Sequence, residues 1–260
     1  MKSVHVGTMG WSYGFWVGNF YPRGLRPTEF LAEYSKHFET VEVNNTFYRV
    51  PSESTFLKWR EQTPKDFLFS AKFPQVITHR KMLKDCELET QFFMERISVL
   101  QEKVGPLLLQ FPPLFGPKEA SLLGDFLTKL PKKYRYAVEV RNKKLLDDKF
   151  YSLLKENGVA LAINPLMPET EHITTDFAYI RWEGDRRKVS GTLGSVEVDR
   201  REDIKKWAMK ISQFLVETKE AFGYFSKYYS GHPPTDARQL VESLGLGLDD
   251  SLRVHRQEVL

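Results

Sequence analysis

The sequence predicts an α/β fold of one domain, a (β/α)8 barrel of the TIM type over residues 1–247, followed by a charged tail at 248–260. Three observations predict it. Eight short apolar stretches recur along the chain, nearly all separated by segments of helical period, which reads as parallel βα units. The length of 260 residues is large for an ordinary domain and normal for a barrel. The competing open, doubly wound sheet would suggest a dinucleotide glycine fingerprint or a phosphate loop, and the chain has neither.

The elements follow in order. Residues 4–8 read as a first strand, and the glycines of 10–22 with Pro22 mark a loop. Thr28 can cap a helix to about His37, with Phe30, Leu31, Tyr34 and Phe38 on one side. Residues 40–44 alternate Val41 and Val43 against Glu42 and Asn44, the pattern of a two-faced strand. A helix from Pro51-Ser52, with Phe56 and Trp59 inward, ends before Pro64; residues 67–72 form a third strand. A helix over about 86–103 is broken by Gly105-Pro106, and 107–111 is a fourth strand stopped by Pro112-Pro113. A helix over 118–130, a strand over 136–141, a helix over 147–156 and a strand over 159–164 follow. Residues 166–175 have little periodicity. Residues 177–182 are a seventh strand, then a charged loop, a strongly striped helix over 200–219, an eighth strand at 222–226 and a last helix over 235–244.

Composition bounds the function. The hydrophobic share of 41% and charged share of 28% suit a soluble globule with a sizeable core. A formal charge of +4 permits an anionic substrate but is far from the excess of a dedicated nucleic-acid binder. The single cysteine, Cys86, excludes an intrachain disulfide and a cysteine-based zinc site. The start of the chain carries no apolar signal region and no apolar run reaches bilayer length, so a reduced, cytoplasmic protein off the membrane is expected. Oligomeric state is not legible.

In a barrel, inward side chains recur every second residue and sites form at the C-terminal strand ends. That rule groups Glu42 with Asn44, Ser70 with Lys72, Leu108 with Gln110, and Ala137 with Glu139 and Arg141. It also groups Ala160 and Ala162 with Asn164, Tyr179 with Arg181 and Glu183, and Phe225 with Lys227. Early inward positions are small or apolar and late ones polar, so a polar mouth is expected at one end. Buried ion pairs can also plug a barrel without chemistry. The mixed signs suit acid–base carboxylates and cations that hold an anion. Lys72 can serve as a charged ligand or, with a depressed pKa, form a Schiff base. Glu42, Glu139 and Asn164 offer oxygen ligands for a divalent metal, although no strong ligand cluster is present. His79 follows strand three and can reach the mouth, whereas His5 reads as a core histidine. The aromatic loop with Trp11, Tyr13 and Trp16 either buries its own surface or stacks on a substrate. Arg186, Arg187 and Lys188 read as a solvated loop able to steer phosphate.

The motifs Gly10-Trp11-Ser12-Tyr13, Val41-Glu42-Val43-Asn44, Phe47-Tyr48-Arg49, Lys72-Phe73-Pro74, Thr78-His79, Leu109-Gln110-Phe111-Pro112-Pro113 and Val138-Glu139-Val140-Arg141 are similar to those of one family. Over nearly its whole length the chain resembles the domain-of-unknown-function 72 family, also called YecE-like. The resemblance implies a barrel whose pocket includes Glu42, Asn44, Lys72, Gln110, Glu139 and Arg141, and it supplies no established reaction. By fold analogy to barrel endonucleases it also suggests nucleic-acid processing. The chain departs from the family pattern at Asn142, Leu145, Asn164, Glu183, Ser226 and Lys227. These departures bear on any histidine- or metal-dependent chemistry of relatives.

The expectation is an enzyme of lyase, isomerase or hydrolase type acting on a small anionic or sugar-like compound at the barrel mouth. Glu139 and Glu42 would be acid and base, Lys72 and Arg141 charge stabilisers, and Arg181 an anion clamp. Asn44, Gln110, Asn164, Trp11, Tyr13, Tyr48 and His79 complete the substrate-binding set. Two alternatives stand: a nucleic-acid-binding or endonuclease-like protein, and a non-catalytic small-molecule binder.

Overall fold

A computed structural model describes residues 3–245; the tail expected at 248–260 lies outside the described residues. Eight strands, β1 (Ser3–Thr8), β2 (Thr40–Val43), β3 (Leu68–Lys72), β4 (Val104–Gln110), β5 (Tyr136–Glu139), β6 (Ala160–Ile163), β7 (Phe177–Trp182) and β8 (Glu220–Phe225), form one sheet. From β2 to β8 each strand pairs in parallel with the next in sequence, and β1 pairs in parallel with β8. The helices are α1 (Phe30–Tyr34), α2 (Glu53–Glu61), α3 (Glu87–Ser98), α4 (Ala120–Lys129), α5 (Asp148–Glu156), α6 (Arg201–Glu217) and α7 (Pro233–Ser243). The sheet thus curls into a nearly closed TIM-type barrel with helices outside, as the sequence pattern predicts. No helix among the described residues is long and apolar enough to cross a membrane.

The seam between β1 and β2 closes the ring. Met9 and Glu42 form a bridge there, and a Cβ on Gly7 would lie 2.2 Å from the Thr40 carbonyl oxygen. Only glycine allows that approach. The buried Tyr34 hydroxyl fills the gap below the bridge: it accepts from Thr8 N–H at 3.0 Å and donates to Thr40 C=O at 3.0 Å. Tyr34→Phe would leave both backbone groups unpaired, so it is expected to lower stability by about 1–3 kcal/mol in urea unfolding; an unchanged midpoint would mean the seam closes without it.

Local irregularities have local causes. The β4 strand starts at Val104, earlier than its apolar run suggests. Between Phe69↔Val104 and Ala71↔Leu107 its register slips, because Gly105-Pro106 supplies one extra residue and Pro106 has no N–H for the ladder. The aperiodic stretch after β6 carries a 3₁₀ turn, Pro168–Thr170, in place of an α-helix. Thr170 and Thr174 hydroxyls accept from Asn164 and Leu161 N–H, both at 2.8 Å, and so complete the bonding of β6.

Inside the barrel, small Ala137, Ala160 and Ala162 face large Phe177, Tyr179, Phe222 and Tyr224. The Tyr224 hydroxyl spans the interior to Ser70 and Thr40 at 3.0 and 2.9 Å. This corrects the expected phase of the last strand. Tyr224 points inward, while Phe225 lies in the outer shell, stacked on Trp182 at 4.2 Å. The stretch 222–225 is apolar on both faces, so alternation carried no signal.

Candidate active site

The late inward positions converge at the C-terminal ends of the strands. Glu42 comes from β2, Lys72 from β3, Gln110 from β4, Glu139 from β5 and Arg181 from β7; Asn44, Arg141 and Glu183 follow just beyond their strands. Glu42 and Glu139 have no exposed surface, and Arg181 has 3%.

Arg181 organises the floor. Its Nε and Nη2 donate to the two oxygens of Glu42, each at 2.9 Å. Its Nη1 donates to Glu139 and lies 3.1 Å from Glu183. Glu42 also accepts from the Tyr179 hydroxyl at 2.8 Å and the Asn44 amide at 2.9 Å. Arg141 pairs with Glu139 and lies 3.4 Å from Glu183. Burial alone would raise the Glu139 pKa, but Arg181 and Arg141 outweigh it and hold the carboxyl below its ordinary value. Burial likewise opposes the Arg181 charge, and Glu139, Glu42 and Glu183 outweigh it, so the guanidinium stays protonated. The floor is therefore a fixed ion cluster, bidentate and hydrogen-bonded, the arrangement that lets charges survive burial.

Lys72 is different. Its Nζ donates to the neutral Gln110 Oε1 at 2.7 Å and lies 4.0 Å from the centre of the Phe47 ring. Gln110 is held in turn by its own amide, which donates to the Phe111 carbonyl. Burial first, then the Arg181 charge, lowers the Lys72 pKa to about 8 against the pull of Glu139, Glu42 and Glu183. Above the ammonium opens a cavity of about 310 Å³. Lys72, Arg141, Arg181, Arg186, Lys227 and Glu183 charge its walls; Tyr13, Phe47, Tyr48 and Tyr228 supply rings, and Met9, Asn44, Gln110 and Ser226 complete it. An adjoining recess of about 700 Å³ shares Gln110, Arg141, Glu183 and Arg186 and adds His79, Leu166 and the 184–187 loop.

That loop is pinned rather than free. A Cβ on Gly184 would lie 1.6 Å from the Tyr228 carbonyl oxygen, so the two backbones touch. The Glu197 carboxylate accepts from Ser190 and Gly191 N–H at 2.8 and 2.7 Å, and Asn19 donates to the Gly194 carbonyl at 2.6 Å. The walls that carry Arg186 and Lys227 are thus held by neighbouring loops.

The structure gathers Glu42, Asn44, Lys72, Gln110, Glu139, Arg141 and Arg181 in one place, with Tyr13 and Tyr48 at the rim of the same cavity. Other expected site residues fall elsewhere. Trp11 is buried in the outer shell, edge-on to Trp59 at 5.1 Å, because a large indole gains more from packing than from exposure. His79 lines the adjoining recess, with Nδ1 on Thr78 at 2.9 Å. Asn164 is buried, and its carboxamide oxygen accepts from Leu166 N–H at 2.9 Å; it caps the turn after β6 rather than lining the cavity. This also corrects the metal set of Glu42, Glu139 and Asn164. A guanidinium already occupies the place between the two carboxylates, and Asn164 is turned away. No group of three or more His, Cys, Asp or Glu among the described residues is placed to hold a metal ion. Sequence reasoning left Met9, Phe47, Glu183, Arg186, Ser226, Lys227 and Tyr228 out of the site. Three of them had a signal: Glu183 and Lys227 fall at late inward positions by alternation, and Arg186 lies in the basic loop after β7.

The family described as Protein of unknown function DUF72 matches residues 5–258. UPF0759 protein YecE of Escherichia coli (strain K12) is 40% identical over 139 residues, 54% of this chain and 48% of that protein. The chain thus matches about half the length of that relative. UPF0759 protein YunF of Bacillus subtilis (strain 168) is 23% identical over 94% of this chain and 95% of its own. A DUF72 family protein from Thermotoga maritima MSB8 superposes with a TM-score of 0.79 at 29% identity, covering 94% of this chain and 99% of that one. A D-psicose 3-epimerase from Clostridium cellulolyticum H10 shares the fold alone, with a TM-score of 0.52 at 8% identity over 95% of this chain and 93% of its own.

Proposed function

Because the chain belongs to the DUF72 family of proteins of unknown function, its activity has to be read from the barrel mouth, and we propose an enzyme that acts on a small anionic, sugar-sized compound held over Lys72. One observation carries this reading: a half-buried ammonium with a neutral partner, Gln110, faces an open cavity of about 310 Å³. Five cations, Lys72, Arg141, Arg181, Arg186 and Lys227, meet three carboxylates, Glu183 in the wall and Glu42 and Glu139 beneath, a surplus of two positive charges. A small anion would complete that balance.

The roles follow from what each group has left to give. Glu42 is saturated by Arg181, Tyr179 and Asn44, so it suits positioning rather than proton transfer. Glu139 is held ionised beside two arginines, which suits charge balance and disfavours an acid role. Arg181 spends its donors on carboxylates, which leaves Arg141, Arg186 and Lys227 as the anion clamp. Lys72 meets the reacting oxygen, Glu183 is the carboxylate within reach of substrate, and the rings of Tyr13, Phe47 and Tyr48 flank it. This favours lyase or isomerase chemistry beside a carbonyl, which an ammonium polarises. Nucleic-acid binding has less support, since Arg187 is spent on Asp185 at 3.1 Å.

The test is thermal melting against a panel of small carboxylates, phosphates and uncharged analogues. Anions at about 100 times their Kd are expected to add about 2.7 kcal/mol, with nothing from the uncharged set and no effect in Lys72→Met or Arg141→Met. Absence of any anion response in the wild type would remove the reading.

A further inference from the structure

Resting on that reading of the mouth, we propose that Lys72 is a covalent site: its amine condenses with the carbonyl of a small substrate that also carries a carboxylate or phosphate, giving an imine bound to β3. The position supports it. Lys72 ends a strand, points to the barrel axis and opens onto the cavity, so its stem is anchored and its nitrogen is accessible. Its hydrogen-bond acceptor is the Gln110 amide at 2.7 Å rather than a carboxylate. A carboxylate partner would lock a proton on the nitrogen; a neutral amide allows its loss. The neighbouring Arg181 cation and burial both favour the free amine, the environment that makes a lysine nucleophilic. With a pKa of about 8, roughly a tenth of the side chain is free amine at pH 7, on the order of a hundredfold more than for a surface lysine. Arg141, Arg186 and Lys227 stand in the same cavity to receive the anionic end.

The step balances without a redox partner. The nitrogen lone pair attacks the carbonyl carbon, a C–N bond forms and the carbonyl π pair moves to oxygen. The oxygen then leaves as water, carrying two of the three hydrogens of the original ammonium. The third stays on the nitrogen of the C=N bond, so one positive charge enters and one remains. Charge beside the substrate carbonyl carbon is thereby created in the ground state, and a proton or carbon group on the adjacent carbon becomes labile.

The experiment treats the full chain with pyruvate or with dihydroxyacetone phosphate, one arm for each kind of anion, then adds sodium borohydride and maps adducts by peptide mass spectrometry. The non-carbonyl analogues lactate and glycerol 3-phosphate are followed in parallel by thermal melting. The expected result is a reduced adduct on Lys72 with at least one probe, on the order of a hundredfold above other lysines, and none in Lys72→Arg. Thermal stabilisation by the anions without an adduct on Lys72, or labelling spread evenly over the lysines, overturns the imine and leaves the anion site standing. No stabilisation and no adduct overturns both.

Discussion

Arg181→Met is expected to destabilise the fold by about 3–5 kcal/mol, because it removes the one cation shared by two fully buried carboxylates. The loss reaches beyond the pair: Glu42 Oε2 keeps only the Tyr179 hydroxyl, and Glu139 keeps only Arg141. The sign of the pH dependence separates this from ordinary packing loss. In the wild type the Glu139 pKa is depressed, so its contribution is present above the unfolded carboxylate pKa and disappears as pH falls through the folded value. In Arg181→Met the buried Glu139 loses most of its cationic support, its pKa rises, and the variant should regain stability on mild acidification while the wild type does not. Urea unfolding of both proteins at pH 7 and at about pH 5, where an ordinary carboxyl is still ionised, reads the difference. Parallel slopes would mean that Arg181 acts through packing alone. The triple variant Arg181→Met with Glu42→Gln and Glu139→Gln should recover part of the loss, since neutral partners need no cation.

Lys72→Met is expected to do the opposite: to stabilise the fold while abolishing anion binding. A half-buried ammonium whose pKa falls from 10.5 to about 8 costs the folded state up to about 3 kcal/mol below pH 8. Methionine fills the same space without that charge. It also forfeits the bond to Gln110 and the contact with Phe47, so the net gain at pH 7 should be about 1–2 kcal/mol. The sign follows from linkage. The wild-type penalty is complete below the folded pKa and fades as pH rises from about 8 toward 10.5, so the advantage of the variant should shrink over that window. Loss of anion response together with a gain in stability marks a residue kept for function. A variant less stable than the wild type at pH 7, with anion response intact, would place Lys72 in the scaffold.

Much of this architecture was legible in the residues. The alternation of Val41 and Val43 with Glu42 and Asn44 set which face of β2 entered the barrel, and the same period placed Lys72, Gln110, Glu139, Arg141 and Arg181. Where the two faces of a strand are chemically alike, the period is silent: Phe225 and Tyr224 exchanged faces for that reason. Gly223 is the trace of the true phase, since a Cβ there would lie 2.4 Å from the Trp182 ring. Loops were read least well. Trp11 and Tyr13 stand two residues apart in one aromatic run, yet Trp11 packs on Trp59 and Tyr13 reaches the cavity. Nothing local decides between those directions. The same holds for Arg186 and Lys227, whose place in the wall depends on the contact of Gly184 with the Tyr228 backbone. Pairing was also hidden. Glu42 and Glu139 look like an acid and a base until Arg181, 42 residues beyond Glu139, is seen between them. A sequence shows which charges reach the mouth, and the three-dimensional partner decides which of them remain free for chemistry.

That distinction rests on Lys72, and the most direct measurement is an NMR titration of its side-chain amine in protein carrying isotope-labelled lysine, assigned with Lys72→Arg. The expected midpoint is near pH 8 in the free protein, and it should move upward when inorganic phosphate or another small anion saturates the cavity, because a bound anion favours the ammonium. A midpoint at the ordinary lysine value of 10.5, unmoved by every small anion tried, would contradict an anion site centred on Lys72.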